Sequence, residues 1–178
     1  SMDVCAKLRG MFHEKRVGHA GTLDPMATGV LPVFIGRATR AVEFAADSDK
    51  EYIAGLKLGV VTNTQDTTGE ILEERPVNVS GEQLRRVLER FTGEIEQVPP
   101  MYSAIKINGK KLYELARKGR EVERKPRPVT IHALELEGWP DAGEDFTLRV
   151  VCSKGTYVRT MCHDIGQALG CGGCMSSL

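Results

Sequence analysis

A single carboxylate, Asp24, stands in a segment that is dense in glycine, and Pro25 follows it directly. The segment, Gly18–Gly29, reads GHAGTLDPMATG. Proline shifts the residue before it from helical toward extended backbone, and glycine tolerates dihedral angles and close approaches that other residues do not. An Asp-Pro pair among glycines is typical of a tight turn. The segment is therefore compatible with a plain turn and with a loop that presents a reactive carboxylate.

Histidines and cysteines near the C-terminus suggest two metal-dependent alternatives. His163 and Asp164 form the adjacent pair of metal-dependent phosphohydrolases, but the chain has only three other histidines to complete such a site. A zinc knuckle would draw on Cys162, His163, Cys171 and Cys174. One Cys-x-x-Cys is half a zinc site, and adjacent residues of a helix point in different directions. A buried thiol at Cys162 is the simpler interpretation.

The composition is that of an ordinary globular chain. Hydrophobic residues make up 41% and charged residues 27% of 178 residues, which suits one domain with its own core. No apolar run approaches the roughly 18 residues of a membrane span, and no charged-then-apolar leader opens the chain. Five unevenly spaced cysteines suit a reducing compartment. We therefore expect a cytoplasmic protein without membrane contact.

Opposite charges are separated along the chain although they balance overall. The 24 basic and 24 acidic residues leave no net charge, which gives no general attraction to nucleic acid. Residues 47–96 contain eleven acids and six bases, whereas residues 106–127 contain nine bases and three acids. The nine bases are Lys106, Lys110, Lys111, Arg117, Lys118, Arg120, Arg124, Lys125 and Arg127. This basic stretch is compatible with phosphate binding and equally with an exposed, solvated surface.

Three segments have the period of amphipathic helices. The first, Asp3–Phe12, carries an apolar stripe of Val4, Leu8, Met11 and Phe12. Ser80 and Gln83 have the form of a capping box at the start of the second helix, which Gly93 ends. The third, Val158–Leu169, is ended by a glycine, and Arg159 lies in its first turn, off the apolar stripe.

Four further segments have the character of β-strands. They are Val30–Ile35, Glu51–Val61, Val129–Leu136 and Phe146–Cys152. Pro32 indicates that Val30–Ile35 is an edge strand or the start of a strand. The polar loop Thr62–Gly69 follows Glu51–Val61. The last two form an antiparallel pair around the turn region Gly138–Gly143. Strands in hairpins with interspersed helices predict an α+β fold, with a mixed, largely antiparallel sheet flanked by helices.

Four segments resemble, in the same order, the motifs of the TruB family of pseudouridine synthases. They are Gly18–Gly29, Lys50–Ala54 (KEYIA), Pro99–Lys106 (PPMYSAIK) and Ser153–Thr160 (SKGTYVRT). Four ordered matches are far more specific than one. The resemblance runs from the helix at Asp3 to the turn at Gly172.

By this resemblance Asp24 is the catalytic aspartate, which attacks uridine so that the base detaches, rotates and rejoins the ribose through carbon. The carboxylate must be ionised to do this. Arg159 matches the arginine that pairs with the aspartate and opposes the effect of burial on its charge. Tyr52 matches the tyrosine that stacks on the flipped-out base and helps in the final proton removal. By the same resemblance, we expect Tyr157 to form a second wall of the pocket.

The resemblance also implies a partner, tRNA, bound through its T arm, with uridine-55 as the target. His19 matches a histidine near the RNA loop at the pocket entrance, so we expect it to position the substrate. Lys15 and Arg16 are expected to contact phosphates, as is the basic stretch from Lys106 onward, which the resemblance places in a mobile insertion. No cofactor or metal is implied, and we expect a monomer.

We expect residues 1–178 to form one pseudouridine synthase catalytic domain. Family members usually begin with a strand that carries a Lys-Pro motif. They usually continue past the point matching Leu178 with a basic strand, a pocket leucine and often a small RNA-binding PUA domain. The resemblance predicts a domain without that first strand and without a C-terminal PUA domain. An RNA-binding fragment without activity is the alternative, although a pure binder has no need of a carboxylate that faces an anionic ligand.

Overall fold

The computed structural model describes residues 1–140 and 144–178. In chain order its elements are α1 (Met2–Phe12), β1 (Val17–His19), β2 (Val33–Ile35), a 3-10 helix (Gly36–Ala41), α2 (Val42–Ala46), β3 (Lys50–Leu58), β4 (Val60–Thr62), β5 (Ile71–Glu74), α3 (Gly81–Arg90), β6 (Gly93–Gln97), β7 (Lys106–Ile107), β8 (Lys110–Lys111), α4 (Leu112–Ala116), β9 (Arg127–Leu136), β10 (Phe146–Cys152), α5 (Val158–Ala168) and β11 (Gly173–Ser177). Within the described residues, no helix is long and apolar enough to cross a membrane.

A five-stranded sheet forms the centre of the fold. Its strands lie in the order β11-β3-β10-β9-β6, and every neighbouring pair is antiparallel. Three small antiparallel pairs accompany it: β1 with β2, β4 with β5, and β7 with β8. Helices and antiparallel strands in one domain confirm the predicted α+β class.

The hydrophobic core lies between the sheet and two helices. Alternate residues of the central strands, such as Leu56, Leu148 and Val150, are fully buried, as period-two side-chain alternation requires. They share one buried cluster with Leu84 of α3 and Ile165 of α5. Helix α5 contacts β3 and β11, and α3 contacts β9. The core therefore fixes where α5 begins, which matters for the site described below.

The predicted helices are present, with one correction to their packing. Ser80 Oγ accepts a hydrogen bond from the Gln83 backbone N–H, and Gln83 reaches back to the Ser80 N–H, so the capping box is confirmed. Helix α1 is also confirmed, but its apolar stripe is not packed against the hydrophobic core. Met11 is 63% exposed and Phe12 is 57% exposed, and only Cys5 of this helix is buried. The helix contacts β1 rather than the large sheet.

The predicted strand Glu51–Val61 is two strands in the structure. Gly59, at a φ of 85°, separates β3 from β4, and a Cβ there would lie 2.9 Å from the Arg75 carbonyl oxygen. Strands β5 and β11 were not predicted, and Val30–Ile35 shortens to β2, which begins after Pro32. The pair β9 and β10 is confirmed. The predicted turn region Gly138–Gly143 lies partly outside the described residues, at 141–143.

Candidate active site

A cleft of about 700 Å³ opens where the four motif segments meet. The loop after β1 contributes Gly21–Pro25, and β3 contributes Lys50 and Tyr52. The loop after β6 and the turn before α5 complete the walls. The remaining lining residues are Ala46, Thr64, Asp66, Thr68, Tyr102, Ser103, Ala104, Tyr113, Arg117, Ser153, Lys154, Gly155, Thr156, Tyr157 and Arg159. Segments that are far apart in the sequence thus surround one cavity.

Asp24 lies in a turn that also faces the cleft. Its backbone carbonyl accepts a hydrogen bond from the Ala27 N–H at 2.9 Å, as in a tight turn. Gly21 and Gly29 on either side have positive φ angles of 89° and 127°, which glycine adopts without steric cost. The Asp24 side chain is 28% exposed. The predicted turn is therefore present, and it presents the Asp24 carboxylate to the cleft.

Arg159 organises the floor of the cleft. Its Nε lies 2.8 Å from Asp24 Oδ2, in an ion pair that is not an aligned hydrogen bond, and its Nη2 donates to Asp24 Oδ1 at 3.3 Å. The same guanidinium donates to the carbonyl oxygens of Thr64, at 3.2 Å, and Tyr102, at 3.0 Å. Arg159 is off the apolar stripe, as predicted, yet it is only 7% exposed. Burial makes this a desolvated ion pair, whose geometry is fixed from several sides.

A second carboxylate, Asp66, was missed by the sequence analysis. Its Oδ2 lies 3.5 Å from Arg159 Nη1, and its Oδ1 accepts hydrogen bonds from the Thr64 hydroxyl at 2.8 Å and the Thr68 N–H at 2.9 Å. Asp66 is 5% exposed. In the sequence, Asp66 stands in a run of polar residues that is typical of a loop. The spacing of these residues does not reveal that Asp66 pairs with Arg159, which is distant in the sequence.

Two tyrosines and a leucine form the apolar walls of the site. Tyr52 and Tyr157 both line the cleft, as predicted. Burial raises the pKa of the Tyr52 phenol, with smaller effects in the same direction from Cys152 and Asp24, so Tyr52 is neutral at ordinary pH. Leu178 lies beside both tyrosines, and its carbonyl oxygen accepts a hydrogen bond from the Thr28 N–H at 2.9 Å. Leu178 was not predicted as a site residue.

Four predicted RNA contacts lie outside the lining of this cleft. His19 is in β1 and its Nδ1 hydrogen bonds with the Gly21 carbonyl oxygen, next to the cleft. Lys15 and Arg16 are exposed just before β1, and Lys106 is exposed at the start of β7. From the basic stretch, Tyr113 and Arg117 reach the cleft, a placement that the sequence analysis did not single out.

The alternative metal sites find no support in the geometry. In the part of the chain that the structure describes, no cluster of three or more His, Cys, Asp or Glu side chains has the arrangement of a metal site. Burial raises the pKa of the Cys162 thiol to about 12 and that of Cys174 to about 11, so both remain protonated. Burial also raises the pKa of Asp164 and lowers that of His163. Cys162, His163 and Asp164 belong to helix α5 and Cys174 to strand β11, which packs against it.

Comparisons with known proteins identify the family. Residues 9–158 match the model of the TruB family pseudouridylate synthase N-terminal domain. The tRNA pseudouridine synthase B of Alkaliphilus oremlandii (strain OhILAs) is 53% identical over 178 residues, covering 100% of this chain and 59% of its own length. That of Lachnoclostridium phytofermentans (strain ATCC 700394 / DSM 18823 / ISDg) is 55% identical over 184 residues, covering 100% and 60%.

Solved structures show the same fold. A chain in a crystal structure of a Cbf5-Nop10-Gar1 complex has a TM-score of 0.73 and 31% identity, covering 99% of this chain and 43% of that one. A chain in an H/ACA RNP bound to a substrate RNA containing 2'-deoxyuridine has a TM-score of 0.69 and 28% identity, covering 99% and 41%. The chain spans about 60% of the length of the curated relatives it matches. With the family model matched over most of its residues, the chain belongs to the TruB family of pseudouridylate synthases.

Proposed function

We propose that this chain isomerises uridine to pseudouridine in RNA, with Asp24 as the nucleophile. The observation that carries the proposal is the Asp24 carboxylate in the cleft, held by the buried Arg159 guanidinium at 2.8 Å. A nearby cation favours the charged form of a carboxylate, and only the charged form is nucleophilic. Its partial exposure leaves one side of the group open to a substrate.

The reaction is balanced within one nucleotide. The Asp24 carboxylate attacks C1′ and forms an ester bond as the glycosidic bond between C1′ and N1 breaks. The base rotates, and a new bond between C5 and C1′ displaces the carboxylate. C5 loses its proton and N1 gains one, so nothing is oxidised or reduced. The proposal therefore requires no cofactor.

The walls of the cleft suit a base that has left its stack. Tyr52 offers an aromatic face beside Asp24, and stacking on an aromatic side chain is worth about 1–3 kcal/mol per base. Tyr157 also lines the cleft, and Leu178 lies beside both tyrosines. Such a pocket selects a single unstacked nucleotide, and extrusion from an RNA loop costs a few kcal/mol, which stacking helps to offset. The Tyr52 hydroxyl, which is neutral, would assist the proton removal at C5 as a relay to solvent and not as the final proton acceptor.

The substrate proposed is tRNA, with uridine-55 of the T arm as the target. The relatives named tRNA pseudouridine synthase B support tRNA, and the neighbour bound to a substrate RNA supports RNA as the ligand class. His19, Lys15, Arg16 and Lys106 would contact the RNA outside the cleft, where phosphate contacts fix register. We further propose a monomeric, cytoplasmic enzyme. Residues 1–178 would form its catalytic domain.

Tritium release from tRNA labelled at C5 of uridine tests this proposal. The chain is assayed in EDTA beside Asp24→Asn and Asp3→Asn, the second being the same substitution at an exposed residue of α1. We expect release from the wild type and from Asp3→Asn. Asp24→Asn should release nothing, because it keeps the shape of the side chain and removes the nucleophile, and it should still bind the tRNA.

Turnover by Asp24→Asn would refute the nucleophile. Binding of tRNA without release by any of the three proteins would favour the alternative, an RNA-binding fragment without activity.

A further inference from the structure

A buried glutamine joins the end of β6 to the start of α5. Gln97 is 2% exposed, and its side-chain oxygen accepts a hydrogen bond from the Tyr157 backbone N–H at 3.0 Å. Its amide nitrogen donates to the Tyr157 carbonyl oxygen at 3.3 Å. That carbonyl also accepts the first hydrogen bond of the helix, from the Met161 N–H at 3.1 Å. One side chain thus holds both backbone groups of the residue that precedes α5.

The same segment reaches the reaction centre a second time. After Gln97 the chain passes through Pro99 and Pro100, both buried, and the Tyr102 carbonyl oxygen accepts a hydrogen bond from Arg159 Nη2 at 3.0 Å. Each proline fixes its own φ near −65° and restricts the residue before it, so the segment is stiff. The first turn of α5 is therefore held at Tyr157 and at Arg159 by one short stretch of chain.

We infer that Gln97 is a positioning residue for pseudouridine formation, which sets Tyr157 and Arg159, and through Arg159 the Asp24 carboxylate. The inference rests on the proposed function. Gln97 touches none of the reacting groups, since its side chain lies behind the cleft wall and not in its lining. A misplacement of about 1 Å in a catalytic group can cost on the order of 100-fold in rate.

The chemistry of the amide makes the inference testable. A glutamine offers a donor and an acceptor on the same group, which match the carbonyl and N–H of Tyr157. Methionine fills a similar volume and makes neither bond. An ionised glutamate accepts from the N–H but sets a negative oxygen against the carbonyl, whereas a protonated glutamate can make both bonds.

The experiment compares Gln97→Met and Gln97→Glu with Gln83→Glu, an exposed control whose carboxylate still completes the capping box. Single-turnover rate, tRNA affinity and thermal unfolding are measured for each from about pH 9 to about pH 6, a range in which a buried glutamate can become protonated. Hydrogen exchange of the Tyr157 N–H and of the Arg159 Nη–H groups, which donate to Thr64, Asp24 and Tyr102, is followed by NMR without RNA.

We expect Gln97→Met to stay folded and bind tRNA normally, yet to turn over about 10- to 100-fold more slowly. The Gln97→Glu rate, relative to wild type, should rise as the pH falls. Both variants should lose exchange protection at Tyr157 and Arg159 at high pH, and Gln83→Glu should match wild type throughout.

A folded Gln97→Met with the wild-type rate, or one that loses only tRNA affinity, would overturn the inference. If the wild type and Gln83→Glu form no product, the proposed function fails. The positioning role of Gln97 is then tested by the hydrogen-exchange measurement alone. Unchanged protection of the Arg159 Nη–H groups in Gln97→Met would then refute the positioning role.

Discussion

At the scale of single residues, Arg159 carries the electrostatics of the site. One buried guanidinium pairs with both Asp24 and Asp66 and also donates hydrogen bonds to two backbone carbonyls. Arginine suits this task because its donors are arranged in a rigid planar fork, which lysine lacks. The arrangement couples the proposed catalysis to stability, since the group that pairs with the proposed nucleophile also compensates a buried charge.

Replacement of Arg159 by alanine should abolish turnover and destabilise the fold. The variant leaves the 5% exposed Asp66 without its cation, and parting a buried ion pair costs about 3–5 kcal/mol. Urea unfolding measures the loss, with Arg86→Ala as control because its pair with Glu82 is exposed. The control should lose far less. A fully stable, active Arg159→Ala would contradict the pairing.

Asp164 makes stability depend on pH. Burial raises its pKa from 3.8 to about 6, so the folded chain binds more protons than the unfolded chain between these values and stability falls as the pH rises. Asp164→Asn cannot ionise. It should raise the free energy of unfolding by on the order of 1 kcal/mol at about pH 8, because partial solvation weakens the burial effect.

At about pH 3 the same variant should give almost no gain, because the aspartate is then protonated in both the folded and the unfolded chain. Urea unfolding at the two pH values tests this, and an equal gain at both would show that the charge of Asp164 is not the cause.

At the scale of elements, the position of α5 depends on a contact without side chains. A Cβ on Gly166 would lie 2.2 Å from the Gly173 nitrogen and 2.3 Å from the Gly172 carbonyl carbon, so helix and strand β11 touch backbone to backbone. The Gly172 N–H also donates to the Gly166 carbonyl oxygen at 2.9 Å. Only glycine allows this approach. Because α5 carries Arg159, the contact also affects the position of Arg159 in the site.

Gly166→Ala should therefore destabilise the chain by at least about 2 kcal/mol, since overpacking against backbone outweighs the gain of about 1 kcal/mol in helix propensity. Gly10→Ala is the matched control in α1, where a Cβ meets nothing within 4 Å. The control should become slightly more stable. The measurement is thermal unfolding of both variants and of the wild type. A Gly166→Ala variant more stable than the wild type would refute the close contact.

The elements differ in how far the sequence determines them. Helix α3 was predicted with its cap because Ser80 and Gln83 are local, and β9 and β10 follow from alternation. Gly59 could not be recognised as a break, because its N–H donates to Gly172 across the fold. The apolar stripe of α1 predicts a buried face, yet Met11 and Phe12 are exposed. Hydrophobic periodicity indicates a helix but does not show whether another element packs on its apolar face.

The site was predicted to the extent that its residues stand in motifs. Asp24, Tyr52, Tyr157 and Arg159 all line the cleft, whereas Asp66 and Gln97 act through partners that local spacing does not reveal. The catalytic roles of these residues remain predictions.

At the scale of the whole molecule, charge is distributed so that a neutral chain can bind an anion. Lys118 and Arg120 are exposed, and the neighbouring Arg117 lines the cleft. Binding of tRNA should therefore weaken steeply with salt despite the absence of net charge. The double variant Lys118→Ala, Arg120→Ala should reduce the slope of log affinity against log salt by about two.

The matched control for this measurement is Arg85→Ala with Arg86→Ala, two exposed cations of α3 outside the cleft lining. Their loss should leave the slope unchanged. Equal slopes for wild type and Lys118→Ala, Arg120→Ala would show that these cations do not meet phosphate.

Arg159 joins residues that lie 135, 95 and 57 positions away along the chain: Asp24, Thr64 and Tyr102. Contacts of such long range close large loops and form late in folding, because the entropy of closure must be overcome first. A chain still emerging from the ribosome contains Asp24 long before it contains Arg159. The Asp24 carboxylate therefore gains this counter-ion only after synthesis has reached α5, so the Asp24–Arg159 ion pair forms only once four strands of the central sheet, β3, β6, β9 and β10, have been made.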